Sequence, residues 1–251
     1  RYRMNTLLID VGNSQLKWIL GQQLGKTPLQ RLNRSENCLA ELTLLWRQLE
    51  PVEVVVIANV TDTQMTKEII SVCESLWPQV RCLSAVTEKA SHGVTNSYLQ
   101  PERLGVDRWL VLIASWVQYS KPVIVVDCGT AITVDALNQQ GQHLGGLIIP
   151  GLTLMQHSLA QNTFALSKSN VSFKPALANA TEPAIANGSV LAAAGLVEKV
   201  VNDLEQTEAE SFQLVLTGGD ASQLKQAINR PCILDPELIF KGLQRYLETH
   251  G

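Results

Sequence analysis

The sequence predicts an α/β protein built from two related lobes. Three observations predict it. An apolar strand ending in Asp-x-Gly and turning into a second apolar strand occurs at "LLIDVGNSQLKWIL" (residues 7–20) and again at "VIVVDCGTAITVDAL" (residues 123–137). The two aspartates, Asp10 and Asp127, lie 127 − 10 = 117 residues apart, which suits a duplicated α/β unit and is too long for a solenoid repeat. After each hairpin the chain alternates between segments of helical and of strand-like periodicity.

Taken in order, residues 6–11 read as a buried strand and 15–20 as its hairpin partner, with Gly12, Asn13 and Ser14 at the turn. From Ser35 to Leu49, Leu39, Leu42, Leu45, Trp46 and Leu49 recur at helical spacing, and Pro51 ends the run. "VEVVVIANV" (52–60) is a β-branched run expected to be covered on both faces. A helix over 63–77 and a strand over 80–85 follow, and "PERLGVDRWLVLIASWVQY" reads as a helix opening at Pro101. The second cycle comprises a hairpin over 122–127 and 131–137 and a strand near 143–149. Helices over 151–162 and 183–206, the strand "FQLVLT", and a short strand with a closing helix after Cys232 complete it. Residues 165–182 read as a loop, and the lobe boundary is expected near residue 120, giving lobes 1–120 and 121–251.

Of 251 residues, 45% are hydrophobic and 17% charged, a globular composition with room for sizeable cores. A net charge of −3 gives no attraction to nucleic acid or to an anionic membrane, and neither is expected as a partner. Five cysteines, odd in number and without a C-x-x-C pair, fit free thiols in a reducing cytoplasm. The four histidines are far apart and form no zinc spacing. No signal peptide or bilayer-length apolar run is read.

The D-x-G turns carry the chemistry. Glycine at position 12 permits backbone conformations closed to other residues, and Asn13 and Ser14 add donors. An anion there would meet backbone N–H groups with no side chain in the way. A carboxylate beside that anion needs a cation between them, so Asp10 reads as a ligand of a hard cation such as Mg²⁺. Asp127-Cys128-Gly129-Thr130 repeats the pattern, with the Thr130 hydroxyl in place. Each D-G also has a plain hairpin-turn reading. "GQQLGKT" (21–27) mimics a phosphate-binding P-loop, but Leu20 stands where the leading glycine belongs and Pro28 follows, so it reads as a loop with an exposed Lys26. Gly218-Gly219 would let a flat ring approach the backbone, or is simply a strand-to-helix turn capped by Asp220.

"DVGNS", "YLQPERLGVDRW", "DCGTAITVD", "GGLIIPG", "TEPAIANG" and "DPELIFKGL", in this order, resemble type III pantothenate kinases over nearly the whole chain. The resemblance implies two ribonuclease H-like (actin-like ATPase) lobes with a cleft between them. It also implies a cytoplasmic homodimer and ATP-dependent phosphorylation of pantothenate, the first step of coenzyme A synthesis. Cofactors would be ATP, Mg²⁺ and a monovalent cation, K⁺ or NH₄⁺. By position, Asp10, Val11, Gly12, Asn13, Ser14, Gln15, Leu16 and Lys17 resemble the first phosphate loop. Gly105, Val106, Asp107 and Arg108 resemble the substrate loop, with Asp107 as catalytic base. Tyr98 and Thr181 resemble pantothenate contacts, Asp127 the monovalent-cation ligand, and Thr130 a nucleotide contact. Val106 departs from the alanine often found there.

The residues keep other readings open. Asp107 suits proton abstraction from a primary alcohol, or a surface ion pair at a helix start. Arg108 suits a bidentate clamp on a carboxylate, or a buried structural ion pair. Tyr98 suits a substrate bond or packing, and Thr181 a ligand contact or a helix cap before Pro183. His92 has no assigned role, and Cys128 reads as a small buried hydrophobe. Another phosphotransferase of the same fold, or a non-catalytic accessory regulatory protein, are the rival functions.

Overall fold

The computed structural model describes residues 4–161 and 173–251, and the chain divides into two compact units. The first holds the residues up to His92, Tyr98–Ala114 and Glu237–Gly251; the second holds Gly93–Ser97 and Ser115–Pro236. This partition departs from a linear division at residue 120 in three places: the closing helix, the short segment 93–97 and residues 115–120.

The first unit begins with β1 (Thr6–Val11), β2 (Gln15–Leu20), β3 (Gln30–Asn33), α1 (Cys38–Trp46), β4 (Val54–Asn59), α2 (Thr63–Leu76) and β5 (Arg81–Ser84). Its sheet runs β3-β2-β1-β4-β5. The pairs β1–β2 and β2–β3 are antiparallel, while β1–β4 and β4–β5 are parallel. β1 and β4 are buried along nearly their whole length, as their apolar sequences require of central strands. Asp62 starts α2 by accepting the Met65 N–H at 2.8 Å. Trp46 closes the core, with Trp18 edge-on at 6.0 Å and Trp77 stacked at 6.4 Å between ring centroids. The polar edge strand β3 has no apolar alternation and escapes the sequence reading.

Two-residue strands β6 (Ala90–Ser91) and β7 (Val94–Thr95) precede α3 (Val106–Tyr119). The helix expected from Pro101 onward is interrupted. Pro101–Arg103 form one 3₁₀ turn, Leu104 is extended (φ −72°, ψ 126°), and the α-helix begins only at Val106. The break puts Gly105 and Asp107 at a helix N-terminus instead of inside a helix.

The second unit contains β8 (Val123–Cys128), β9 (Ala131–Leu137), β10 (His143–Pro150), α4 (Leu152–Gln161), α5 (Thr181–Thr207), β11 (Gln213–Thr217), α6 (Ala221–Lys225) and β12 (Ile233–Leu234). Its sheet order, β10-β9-β8-β11-β12, repeats that of the first unit, including the two antiparallel and two parallel pairings. Each unit is thus a ribonuclease H-like α/β fold, as expected. Of the segment read as a loop, 165–172 lie outside the described residues, and 173–180 contain no helix or strand. Ala180, not Thr181, caps α5, and no side chain bonds the helix start.

α5 is long and apolar enough to cross a membrane by length and composition, contrary to the sequence reading. Its stripe of Ala186, Val190, Ala193, Ala194, Val197 and Val201 is buried in the core of the second unit, which accounts for that composition. The closing helix α7 (Leu238–His250) buries Leu238, Phe240, Leu243 and Tyr246 and packs on β1 and β4. That amphipathic face is what joins the C-terminus to the first unit.

Candidate active site

In the first unit, Asp10 is the penultimate residue of β1 and pairs across the hairpin with Lys17, whose Nζ lies 3.4 Å from Asp10 Oδ2. The carboxyl is buried, and its pKa is raised from 3.8. Desolvation is the main cause; Lys17 opposes it, and the negative charge of Asp107 adds to it. Two carboxyls and one ammonium therefore share one region, an arrangement that favours a further cation. The two carboxyls are hard oxygen donors of the kind a divalent ion takes, one of them desolvated, though among the described residues no three His, Cys, Asp or Glu side chains cluster as a metal site.

Gly12 does not use a left-handed backbone, contrary to expectation. Its N–H donates to Gln15 O at 3.0 Å, and a Cβ there would lie 3.2 Å from that same oxygen, so close approach is the reason for glycine. Asn13 and Ser14 are exposed at the turn, and Gln15 bonds Asn33 at 2.9 Å. Val11 and Leu16 bury their side chains in the core, so only their backbone could meet a phosphate.

Asp107 is half-buried in the first turn of α3, and its Oδ1 accepts the Arg108 N–H at 2.8 Å. Gly105 makes this possible: a Cβ on it would lie 2.6 Å from Asp107 Oδ1. Val106 is buried beside it, so its methyls face away from solvent. Arg108 is buried, donates from Nη1 to Tyr98 Oη at 2.9 Å, and has its guanidinium 5.7 Å from the Tyr98 ring centre. His92 bonds Thr249 on α7 at 3.1 Å, a packing contact within the first unit.

In the second unit, Asp127 is the penultimate residue of β8, between Thr133 of β9 and Thr217 of β11. Gly218 (φ +90°) lies against it: a Cβ would come 2.5 Å from Asp127 Oδ1 and 2.5 Å from Cys128 O. Here glycine is required by both space and backbone. The Asp220 N–H donates to Cys128 O at 3.0 Å, and burial raises the Asp220 carboxyl pKa. Asp220 makes no side-chain cap to α6. Burial, then Asp127 and Asp220, push the Cys128 thiol up, so it is a packed thiol and not a nucleophile. Exposed Thr130 accepts the Gly151 N–H on its carbonyl at 2.9 Å. Thr181 is exposed on α5 and lines an open cavity of about 590 Å³ with Leu159, Asn179, Ile185 and Ser189. Lys26, the P-loop mimic, is exposed and bonds its own loop at Gln22 O.

The structure thus gathers Asp10, Lys17 and Asp107 in one unit, with the Arg108–Tyr98 pair on the adjoining chain. In the other it gathers Asp127, Gly218 and Asp220. The sequence marks Asp220 only as a cap after a glycine turn; its place near Asp127 depends on β8 and β11 being neighbours, which no local pattern reveals.

Two ribonuclease H-like units, each with an aspartate near a strand end beside a tight turn, define a duplicated α/β fold with one acidic turn per unit. The chain matches the family model for type III pantothenate kinase over residues 6–203. It is 32% identical over 246 residues to a type III pantothenate kinase of Nitrosococcus oceani, covering 95% of this chain and 92% of the relative. It is 36% identical over 244 residues to that of Pseudoalteromonas translucida, covering 96% of each. This chain belongs to the type III pantothenate kinase family. Among solved structures it resembles a Campylobacter jejuni protein assigned to the Baf family of transcriptional activators, with TM-score 0.61 and 23% identity over 97% of this chain and 98% of the other. It also resembles the activator of 2-hydroxyisocaproyl-CoA dehydratase from Clostridium difficile, solved with ADPNP, with TM-score 0.54 and 14% identity over 98% and 95%. At those identities the likeness is one of fold.

Proposed function

We propose that the chain transfers the γ-phosphoryl group of ATP to the primary hydroxyl of pantothenate, giving 4′-phosphopantothenate and ADP. The observation that carries this reading, given the family, is Asp107. Its carboxylate sits at the start of α3, oriented by the Arg108 N–H, and its negative charge reaches the Asp10 carboxyl at the other end of the same site. The hydroxyl oxygen bonds the γ-phosphorus, the bond from phosphorus to the β,γ-bridging oxygen breaks, and the proton passes to Asp107. A base so placed contributes roughly 10²–10⁴-fold. Alignment and charge stabilisation supply most of the rest.

Asp10 and Lys17, with the backbone of residues 11–16, hold the phosphate end, and Thr130 contacts the nucleotide. Asp10 would hold a magnesium ion, directly or through water, and the ion would neutralise phosphate charge. Tyr98, Gly105, Val106, Arg108 and Thr181 form the pantothenate contacts; Arg108 and Tyr98 already share a hydrogen bond that a substrate carboxylate could exploit. Asp127 holds a monovalent cation, a role supported by the nearby second acid, Asp220. The enzyme works as a homodimer in the cytoplasm. Free cysteines suit that compartment. Leu147 and Ile148 on the edge strand β10, and Leu154 and Leu159 on α4, are exposed apolar side chains that a second copy would cover.

The test is ADP release with pantothenate, with and without potassium, on wild type and Asp107→Asn. Potassium-dependent turnover, slowed at least about 10²-fold in the variant, is expected. Equal rates would remove Asp107 from the mechanism, and no pantothenate-dependent turnover in any salt would defeat the reading. Sedimentation of the protein tests the dimer.

A further inference from the structure

The second unit buries a titratable pair that the proposed chemistry does not use. His143 Nε2 lies 2.9 Å from Asp135 Oδ1, and their side chains are 0% and 1% exposed. They stand on neighbouring strands, His143 at the irregular start of the β9–β10 ladder. Burying such a pair costs more solvation than a surface contact does, and it persists only with its hydrogen bonds satisfied. The other ring nitrogen, Nδ1, lies 3.3 Å from Ser97 Oγ. With the proton on Nε2, held there by Asp135, Nδ1 accepts from the serine hydroxyl.

Ser97 ends a segment bound tightly to this strand pair. Val94 and Asn96 are buried, Thr95 N–H donates to Gly141 O at 3.0 Å, and Thr95 bridges to Gln142. The next residue is Tyr98, whose hydroxyl meets Arg108. We propose that Asp135 and His143 are positioning residues for the phosphoryl acceptor, acting through Ser97 on the placement of Tyr98. This rests on the reading of Tyr98 as a pantothenate contact. Asp135 fixes the imidazole tautomer, the imidazole fixes the Ser97 hydroxyl, and the anchored serine limits where the tyrosine backbone can go. Neither residue touches substrate.

The experiment uses the full chain and measures KM for pantothenate and for ATP separately, with melting temperatures alongside. Ser97→Ala removes one exposed hydroxyl and is expected to raise KM for pantothenate roughly fivefold, the worth of one such bond. KM for ATP and the melting temperature stay at wild-type values, and Ser97→Thr, which keeps a hydroxyl, restores pantothenate binding. His143→Gln places its amide near the Nε2 position, keeping a donor for Asp135 while losing the acceptor for Ser97. It raises KM for pantothenate by a similar factor and adds nothing when combined with Ser97→Ala. Additive effects, parallel rises in both KM values, or an unchanged pantothenate KM in Ser97→Ala would overturn the inference while leaving an active kinase. A wild type without pantothenate-dependent turnover would overturn the function reading and this inference with it.

Discussion

The two D-x-G turns occupy the same place in the same strand order, yet their surroundings differ. Asp10 is buried and opposed by Lys17 across the hairpin, with Asp107 close by. Asp127 is half-buried, its β9 partner is Thr133, and its neighbours include Gly218 and Asp220 of the next parallel strand's turn. The position facing the aspartate thus carries an ammonium in one unit and a hydroxyl in the other. The duplicated fold supplies the strand end, and the facing strand decides what that end can bind. A desolvated carboxylate with its own ammonium suits a phosphate and metal. An acid beside a second acid and backbone oxygens suits a weakly held cation.

The contrast is sharpest in catalysis. Asp107→Asn, which spares both turns, is expected to lower kcat by at least about 10²-fold in steady-state assays. Asp10→Asn removes a charged ligand and is expected to lower kcat/KM for ATP by about 10–100-fold. Asp127→Asn is expected instead to flatten the potassium titration, losing activation of roughly tenfold with the ATP dependence retained. A collapse of ATP affinity in Asp127→Asn, or loss of potassium response in Asp10→Asn, would erase the division of labour.

Stability gives the next test. The Asp10 pKa is raised in the folded protein, so the native state binds more protons than the unfolded chain at pH values above 3.8. Stability at this site is therefore lost as pH rises from the unfolded pKa through the folded one, and the penalty is complete above the latter. Asp10→Asn removes that penalty and is expected to melt higher than wild type at neutral pH, with the difference vanishing toward pH 3.8 and narrowing with Mg²⁺ and ATP. An equal or lower melting temperature across the range would count against the desolvated carboxyl. The smallest effects concern the glycines. Gly218→Ala meets both a positive φ and carbonyl contact, costing about 1–3 kcal/mol in denaturant melts. Gly12→Ala faces one tight oxygen without strained backbone and should cost under about 1 kcal/mol.

Much of this was legible in the residues. The strands read over 6–11, 15–20 and 122–127, the helix read over 63–77 and the repeated turns follow from local apolar periodicity, and each lies within a residue of the observed bounds. What escaped has a common cause. β3 is polar and at a sheet edge, so burial leaves no mark on it. The break at Leu104–Gly105 follows from an extended backbone that Pro101 and a long apolar run concealed. The Asp135–His143 pair joins two strands, and nothing in either strand's sequence names the other.

From the sequence alone came the two-unit α/β plan, the aspartates at strand ends and the family resemblance, because periodicity, turn chemistry and motif order are properties of contiguous chain. Only the tertiary structure decided that α7 belongs to the first unit, that Asp107 begins a helix beside Asp10, and that Asp220 joins Asp127. Those outcomes depend on which surfaces bury one another, and burial is settled between segments far apart in the chain.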